Sequence, residues 1–74
     1  MKKKSYTLLS HIVFLSEEET EKRVSTLTPK ERKLIEARFV DKLTEDKAAE
    51  KLKMSVSDMR TAEMQIVERI KSDH

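Results

Sequence analysis

Four hydroxyl residues of this chain, Ser16, Thr28, Thr44 and Ser55, each stand just before a helical apolar pattern with an acidic side chain within three positions, and those four points divide most of the sequence into helices. A serine or threonine just before a helix accepts a hydrogen bond from a backbone N–H that has no partner inside the helix. An acid in the first turn then meets the positive end of the helix dipole. Ser16 is followed by Glu19, and Thr28 by Pro29 and Glu31, so both fit a capping box, the second with proline at the first helical position. Thr44 is followed by Glu45 and Asp46, and Ser55 by Asp58. The helices implied run from about 17 to 25, 29 to 41, 45 to 53 and 56 to 71. The chain holds no glycine, no asparagine and a single proline, and that composition agrees with helix rather than sheet.

The apolar positions fit these starts. Leu34, Ile35 and Phe39, with Ala37 and Val40 beside them, make a broad inward face on the second helix and leave Lys30, Arg32, Lys33 and Arg38 for solvent. Ala48, Ala49 and Leu52 form a short stripe on the third, where small residues let a neighbouring helix come close. On the last, Met59, Ala62, Ile66 and Ile70 repeat at spacings of three and four, with Val56, Glu63 and Val67 flanking; Ser57, Arg60, Thr61, Gln65 and Arg69 fall on the other side. The fold class expected is all-α, four to five short helices containing a helix-turn-helix over about residues 45–71, with Leu34, Phe39, Leu52, Met59 and Ile66 in the core and Met64 exposed.

Residues 1–26 divide from this part as an apolar segment and an acidic helix. Between Tyr6 and Leu15, strict alternation fails, because Leu8 and Leu9 are adjacent and so are Ile12, Val13, Phe14 and Leu15. Leu8, Ile12 and Leu15 fit a helical stripe, which favours helix over strand. The segment is either a lid on the core or a partner surface, with Tyr6, Leu8, Leu9, Ile12, Val13 and Phe14 as the interface candidates. The basic head Lys2, Lys3, Lys4 and the apolar run behind it imitate a signal peptide, but Ser10 and His11 interrupt the run and it leads directly into Glu17, Glu18 and Glu19 without a small-residue cleavage site. The run is far shorter than the roughly 20 residues of a membrane span. A cytoplasmic protein with no membrane association is expected.

Seventy-four residues leave room for one core. Without cysteine there is no disulfide or thiolate metal site, and two histidines cannot close a zinc site. His11 has no second histidine or paired carboxylate at helical spacing, His74 is a chain end, and Glu17, Glu18, Glu19 and Glu21 read as helix-start charges. No nucleophile with a base, glycine-rich phosphate loop or ligand constellation is visible, so neither enzyme activity, cofactor, metal nor small-molecule substrate is expected. The formal charge of +2 is a weak footprint for nucleic acid, and from residue 27 onward 11 basic side chains face 10 acidic ones, so a basic surface has to come from geometry.

The run Leu27-Thr28-Pro29-Lys30-Glu31-Arg32-Lys33-Leu34-Ile35-Glu36-Ala37-Arg38-Phe39 resembles the opening of region 4 of bacterial sigma factors and of related response-regulator output domains. The second stretch, Leu43-Thr44-Glu45-Asp46-Lys47-Ala48-Ala49-Glu50-Lys51-Leu52-Lys53-Met54-Ser55, and then Met59-Arg60, continue the likeness to residue 71. The pattern also makes physical sense, because a helix-turn-helix needs a short scaffold helix, a tight turn and a second helix whose polar face can enter a major groove about 12 Å wide. Departures are plain. Lys47 and Ala48 stand where the family usually has glutamate and a branched aliphatic, and Lys53 stands where it has glycine, at a turn where a lysine at positive φ costs about 1 to 2 kcal/mol. Val56, Ser57 and Thr61 align with base-reading positions that carry longer polar side chains in promoter-reading members.

The resemblance implies a solitary region-4-like module, bacterial or phage, over residues 27–74. It implies a small transcription regulator that binds double-stranded promoter-region DNA through Ser55, Val56, Ser57, Arg60, Thr61 and Gln65, with Arg38 and Lys42 on phosphates, inside a larger transcription complex or as a homodimer. The alternative is a protein adaptor that uses the same fold to dock on RNA polymerase, a sigma factor or another regulator.

Overall fold

The computed structural model describes residues 5–72; Lys2, Lys3, Lys4 and His74 lie outside them. The described residues form five α-helices and one π-helical turn, with no strand: α1 (Thr7–Val13), α2 (Glu17–Val24), α3 (Pro29–Ile35), the π turn (Glu36–Val40), α4 (Glu45–Leu52) and α5 (Val56–Ser72). All four hydroxyl caps work as the sequence requires. Ser16, Thr28, Thr44 and Ser55 each accept from the backbone N–H three residues on, those of Glu19, Glu31, Lys47 and Asp58, at 3.0 to 3.3 Å. At Thr28 the box closes both ways, because Glu31 Oε1 accepts from the Thr28 N–H at 3.2 Å. That bond, with the Arg69 guanidinium 2.9 Å away, holds the Glu31 carboxyl below its ordinary range.

One core cluster runs from Tyr6 to Ile70 and draws on every element. α5 is its axis: α1, α2, α3 and α4 all pack against it, and Met59, Ile66 and Ile70 are buried along its inner face. Ala48 and Ala49 are buried where α4 meets α5, as the small side chains there imply. Leu34, Phe39, Met59 and Ile66 take their expected core places, but Leu52 is only half-buried, at the edge of the core rather than inside it.

The apolar segment is a helix, and it is a lid on one side only. Tyr6, Leu9 and Val13, spaced by three and four, are buried, so these three interface candidates belong to the core and no partner reaches them while the fold is intact. The stripe expected from Leu8 and Ile12 is the outer one: both are about two-fifths exposed, and Leu15 is half-buried. Phe14 ends α1 in the left-handed conformation (φ 58°) and is 86% exposed.

The long helix expected over 29 to 41 changes pitch. After Ile35 the Asp41 N–H reaches back five residues to the Glu36 carbonyl at 2.8 Å, and Lys42 turns to φ 57° so that the Leu43 N–H bonds the Ala37 carbonyl at 2.9 Å. Two arginines expected in solvent are tethers instead. Arg32 donates to the carbonyls of Leu27 and Ser25 at 3.1 and 3.4 Å, and Arg38 donates to the Leu43 carbonyl and pairs with Glu63 of α5 at 2.8 Å. Arg23 plays the same part from α2, donating to the Ile70 carbonyl at 2.6 Å.

Lys53 answers the missing glycine directly. It takes the left-handed conformation, φ 58° and ψ 47°, and the α4 end closes around it: the Lys53 N–H bonds the Glu50 carbonyl at 3.1 Å and the Met54 N–H bonds the Ala49 carbonyl at 3.0 Å. The tight turn is therefore kept, with a lysine in a conformation glycine adopts freely. Lys53→Gly is expected to raise stability by up to about 1 kcal/mol, read as a higher urea midpoint at unchanged slope, since the relief of the left-handed lysine outweighs the added freedom of the unfolded chain. A lower midpoint would mean that the lysine side chain makes a contact worth more than that strain.

Candidate nucleic-acid interface

α4, the Lys53 turn and α5 form a scaffold helix, a tight turn and a long second helix. Ser55 fixes where that second helix begins: its hydroxyl oxygen accepts from the Asp58 N–H at 3.0 Å while its carbonyl accepts from the Met59 N–H at 2.9 Å. The outer face of α5 then presents Ser57, Arg60, Thr61 and Gln65, all exposed, opposite buried Met59 and Ile66. These four expected site residues share one face, as helical spacing requires.

Their chemistry is narrower than their positions suggest. The Thr61 hydroxyl donates to the Ser57 carbonyl at 3.1 Å, so its proton is spent and it can offer an acceptor lone pair or its methyl group. Val56 is half-buried and packs against the core, which leaves only part of its side chain for a thymine methyl. Ser55 uses its hydroxyl oxygen as the cap of α5. Arg38 is held in its internal pair with Glu63, and lines the same surface groove as Glu45 and Arg60. Lys42 is exposed on the loop before α4 and has no charge partner among the described residues.

Arg60 is the cation among these four exposed residues, and it is not free. Its Nε donates to Glu45 Oε2 at 3.0 Å and its Nη2 lies 2.9 Å from Glu45 Oε1, a two-point pair across the turn between α5 and the first residue of α4. The Arg60 hydrogen bond holds the Glu45 carboxyl below its ordinary range, and Glu45 raises the guanidinium in return. Two further cations of α5 are paired as well, Arg69 with Glu31 and Lys71 with Glu68. Glu45 is the residue that sequence reading missed: its place at the start of a helix explains an acid there, and the helical pattern carries no sign of a partner fifteen residues on.

The sigma-70, region 4 family matches residues 24–72, from the last turn of α2 to the end of α5. The chain belongs to the sigma-70 region 4 family. The family is one of DNA-binding helix-turn-helix modules linked to transcription. No curated protein and no solved structure matches the chain significantly. Among the described residues no helix is long and apolar enough to cross a membrane.

A second surface feature lies beside this face. Leu8 and Ile12 of α1, Phe39 and Leu43, and Met64 and Val67 of α5 line an apolar groove of about 700 Å³ whose rim carries Lys42, Glu45 and Arg60. Leu8, Ile12 and Met64, three of the large apolar side chains left exposed, meet in it.

Proposed function

We propose that this chain is a small cytoplasmic transcription regulator that binds promoter-region duplex DNA through the outer face of α5, as part of a larger transcription complex or a dimer. The observation that carries this reading is the α4-turn-α5 unit itself, in a chain of the sigma-70 region 4 family, with Ser55 capping α5 and Ser57, Arg60, Thr61 and Gln65 on its solvent side. The helix fits a major groove, Arg60 supplies the cation, and Ser57, Thr61 and Val56 supply short contacts to base edges. Because Arg60, Arg69 and Lys71 of α5 are all paired within the molecule, attraction to DNA as a bulk effect is small and the isolated domain binds with modest affinity.

The test is binding to a promoter-region duplex and to a scrambled one across a salt series, with Arg60→Ala and Thr61→Ala beside the parent. Loss of a phosphate contact at Arg60 weakens all sequences and lowers the salt slope by about one unit, whereas loss of Thr61 blunts the preference between duplexes. The apolar groove favours a second reading, docking on RNA polymerase, a sigma factor or another regulator through Leu8, Ile12 and Met64. Failure to bind any duplex at ~50 mM salt, together with co-purification of a polymerase subunit or regulator, would give that reading the place of the first.

A further inference from the structure

We propose that Glu45 is a positioning residue for DNA contact: it holds the Arg60 guanidinium side-on, so that the remaining edge is presented ready-made to two adjacent acceptors on the duplex. The inference rests on the reading of α5 as the DNA-binding helix. A guanidinium carries five N–H donors in a rigid plane. Glu45 Oε2 accepts the Nε–H at 3.0 Å and Oε1 lies 2.9 Å from Nη2, on the Nε side of the guanidinium, which leaves both Nη1 hydrogens and the outer Nη2 hydrogen. The outward pair, one hydrogen from each Nη, matches two neighbouring oxygens of a phosphate or the O6 and N7 of a guanine. Glu45 itself sits on a firm base, as the first residue of a helix capped by the Thr44 hydroxyl.

The shorter side chains at Val56, Ser57 and Thr61 make this arrangement consequential. None of them can make a two-point contact, so in the first turns of α5 that role falls to Arg60, its only cationic candidate, with Gln65 a further turn on; on a free arginine side chain such a contact would have to order several torsions. Pairing with Glu45 sets those torsions beforehand. The alternative is that Glu45 only competes with DNA for Arg60, as any anion near a phosphate backbone does. The two roles predict opposite signs. A competing anion, once removed, tightens binding to every duplex, whereas a positioning residue, once removed, loosens it.

The experiment measures duplex affinity of the full chain carrying Glu45→Gln or Glu45→Ala, each also in the Arg60→Ala background, at low and at raised salt, with thermal melting to confirm the fold. Raised salt screens the long-range effect of removing an anion and leaves the directional one. Either Glu45 variant is expected to bind about two- to tenfold more weakly than the parent, the range expected for freeing one long side chain at an interface. In the Arg60→Ala background the same change is expected to cost nothing, because the side chain it positions is gone. Equal weakening on both duplexes identifies phosphate as the acceptor pair, and weakening confined to the preferred duplex identifies a guanine edge. Binding by a folded Glu45→Ala chain as tight as the parent or tighter overturns the proposal while leaving DNA recognition by α5 in place. A parent that binds no duplex at any salt overturns both.

Discussion

A chain lacking residues 1–15 is expected to lose cooperative unfolding at 25 °C and most of its helicity. The reason is the inner face of α1. Leu9 is fully buried, Tyr6 and Val13 nearly so, and together they cover core side chains on α2, the π turn and α5. Burying an apolar side chain of this size stabilises by about 1.5 to 3 kcal/mol, so three of them supply about 4.5 to 9. A domain of this length has a total stability of about 4 to 11 kcal/mol at about 0.05 to 0.15 per residue, so the loss is comparable to the whole. Removal also uncovers the groove wall that Leu8 and Ile12 provide. Circular dichroism and a thermal melt decide the matter. A truncated chain with unchanged helicity per residue and an unchanged midpoint would show that α1 is an appendage, and that its apolar residues serve a partner instead.

The sequence speaks clearly where one local interaction decides the outcome, and poorly where two distant ones compete. The starts of α2, α3, α4 and α5 were legible because a cap is a short-range event: Ser16, Thr28, Thr44 and Ser55 bond backbone groups three residues away, whereas α1 begins after Tyr6 with no side-chain cap. The face that α1 buries was not. Apolar residues lie almost all the way round Tyr6–Leu15, so periodicity alone cannot choose between the Leu8, Ile12 stripe and the Tyr6, Leu9, Val13 stripe that the other helices cover. The same holds for charge. Arg32 and Arg38 read as solvated because their partners, the carbonyls of Leu27 and Leu43 and the carboxylate of Glu63, are set by tertiary packing. The site divides in the same way. Helical spacing alone put Ser57, Arg60, Thr61 and Gln65 on one face, but the Glu45 pair and the Thr61 bond to Ser57 needed the fold. Lys53 is the instructive case: intrinsic preference disfavours a lysine at that turn, and two backbone bonds at the end of α4 with packing of Met54 and Ala49 overrode about 1 to 2 kcal/mol of strain.

Met59→Ala is expected to destabilise the domain by about 2 to 5 kcal/mol, a large share of the stability a chain of this length can hold. Met59 is fully buried and among the largest side chains with no exposure, and its N–H bonds the Ser55 carbonyl in the first turn of α5. Its neighbours Asp58 and Arg60 are exposed, so this residue joins the core to the outer face of the helix. Truncation leaves a cavity under that face, and the cost depends on how far the first turn of α5 can settle into it. Met59→Leu keeps nearly the same volume and should cost less than about 1.5 kcal/mol, while Met64→Ala, at a side chain 65% exposed, should stay within about 0.5 kcal/mol. Urea unfolding measures all three. If the substitution acts through stability alone, duplex binding by Met59→Ala recovers on cooling or in a stabilising osmolyte, where the folded population returns. Arg60→Ala does not recover, because its loss is at the contact itself. A Met59→Ala chain with the parent's urea midpoint would take Met59 out of the core and with it the packing that sets the angle of α5.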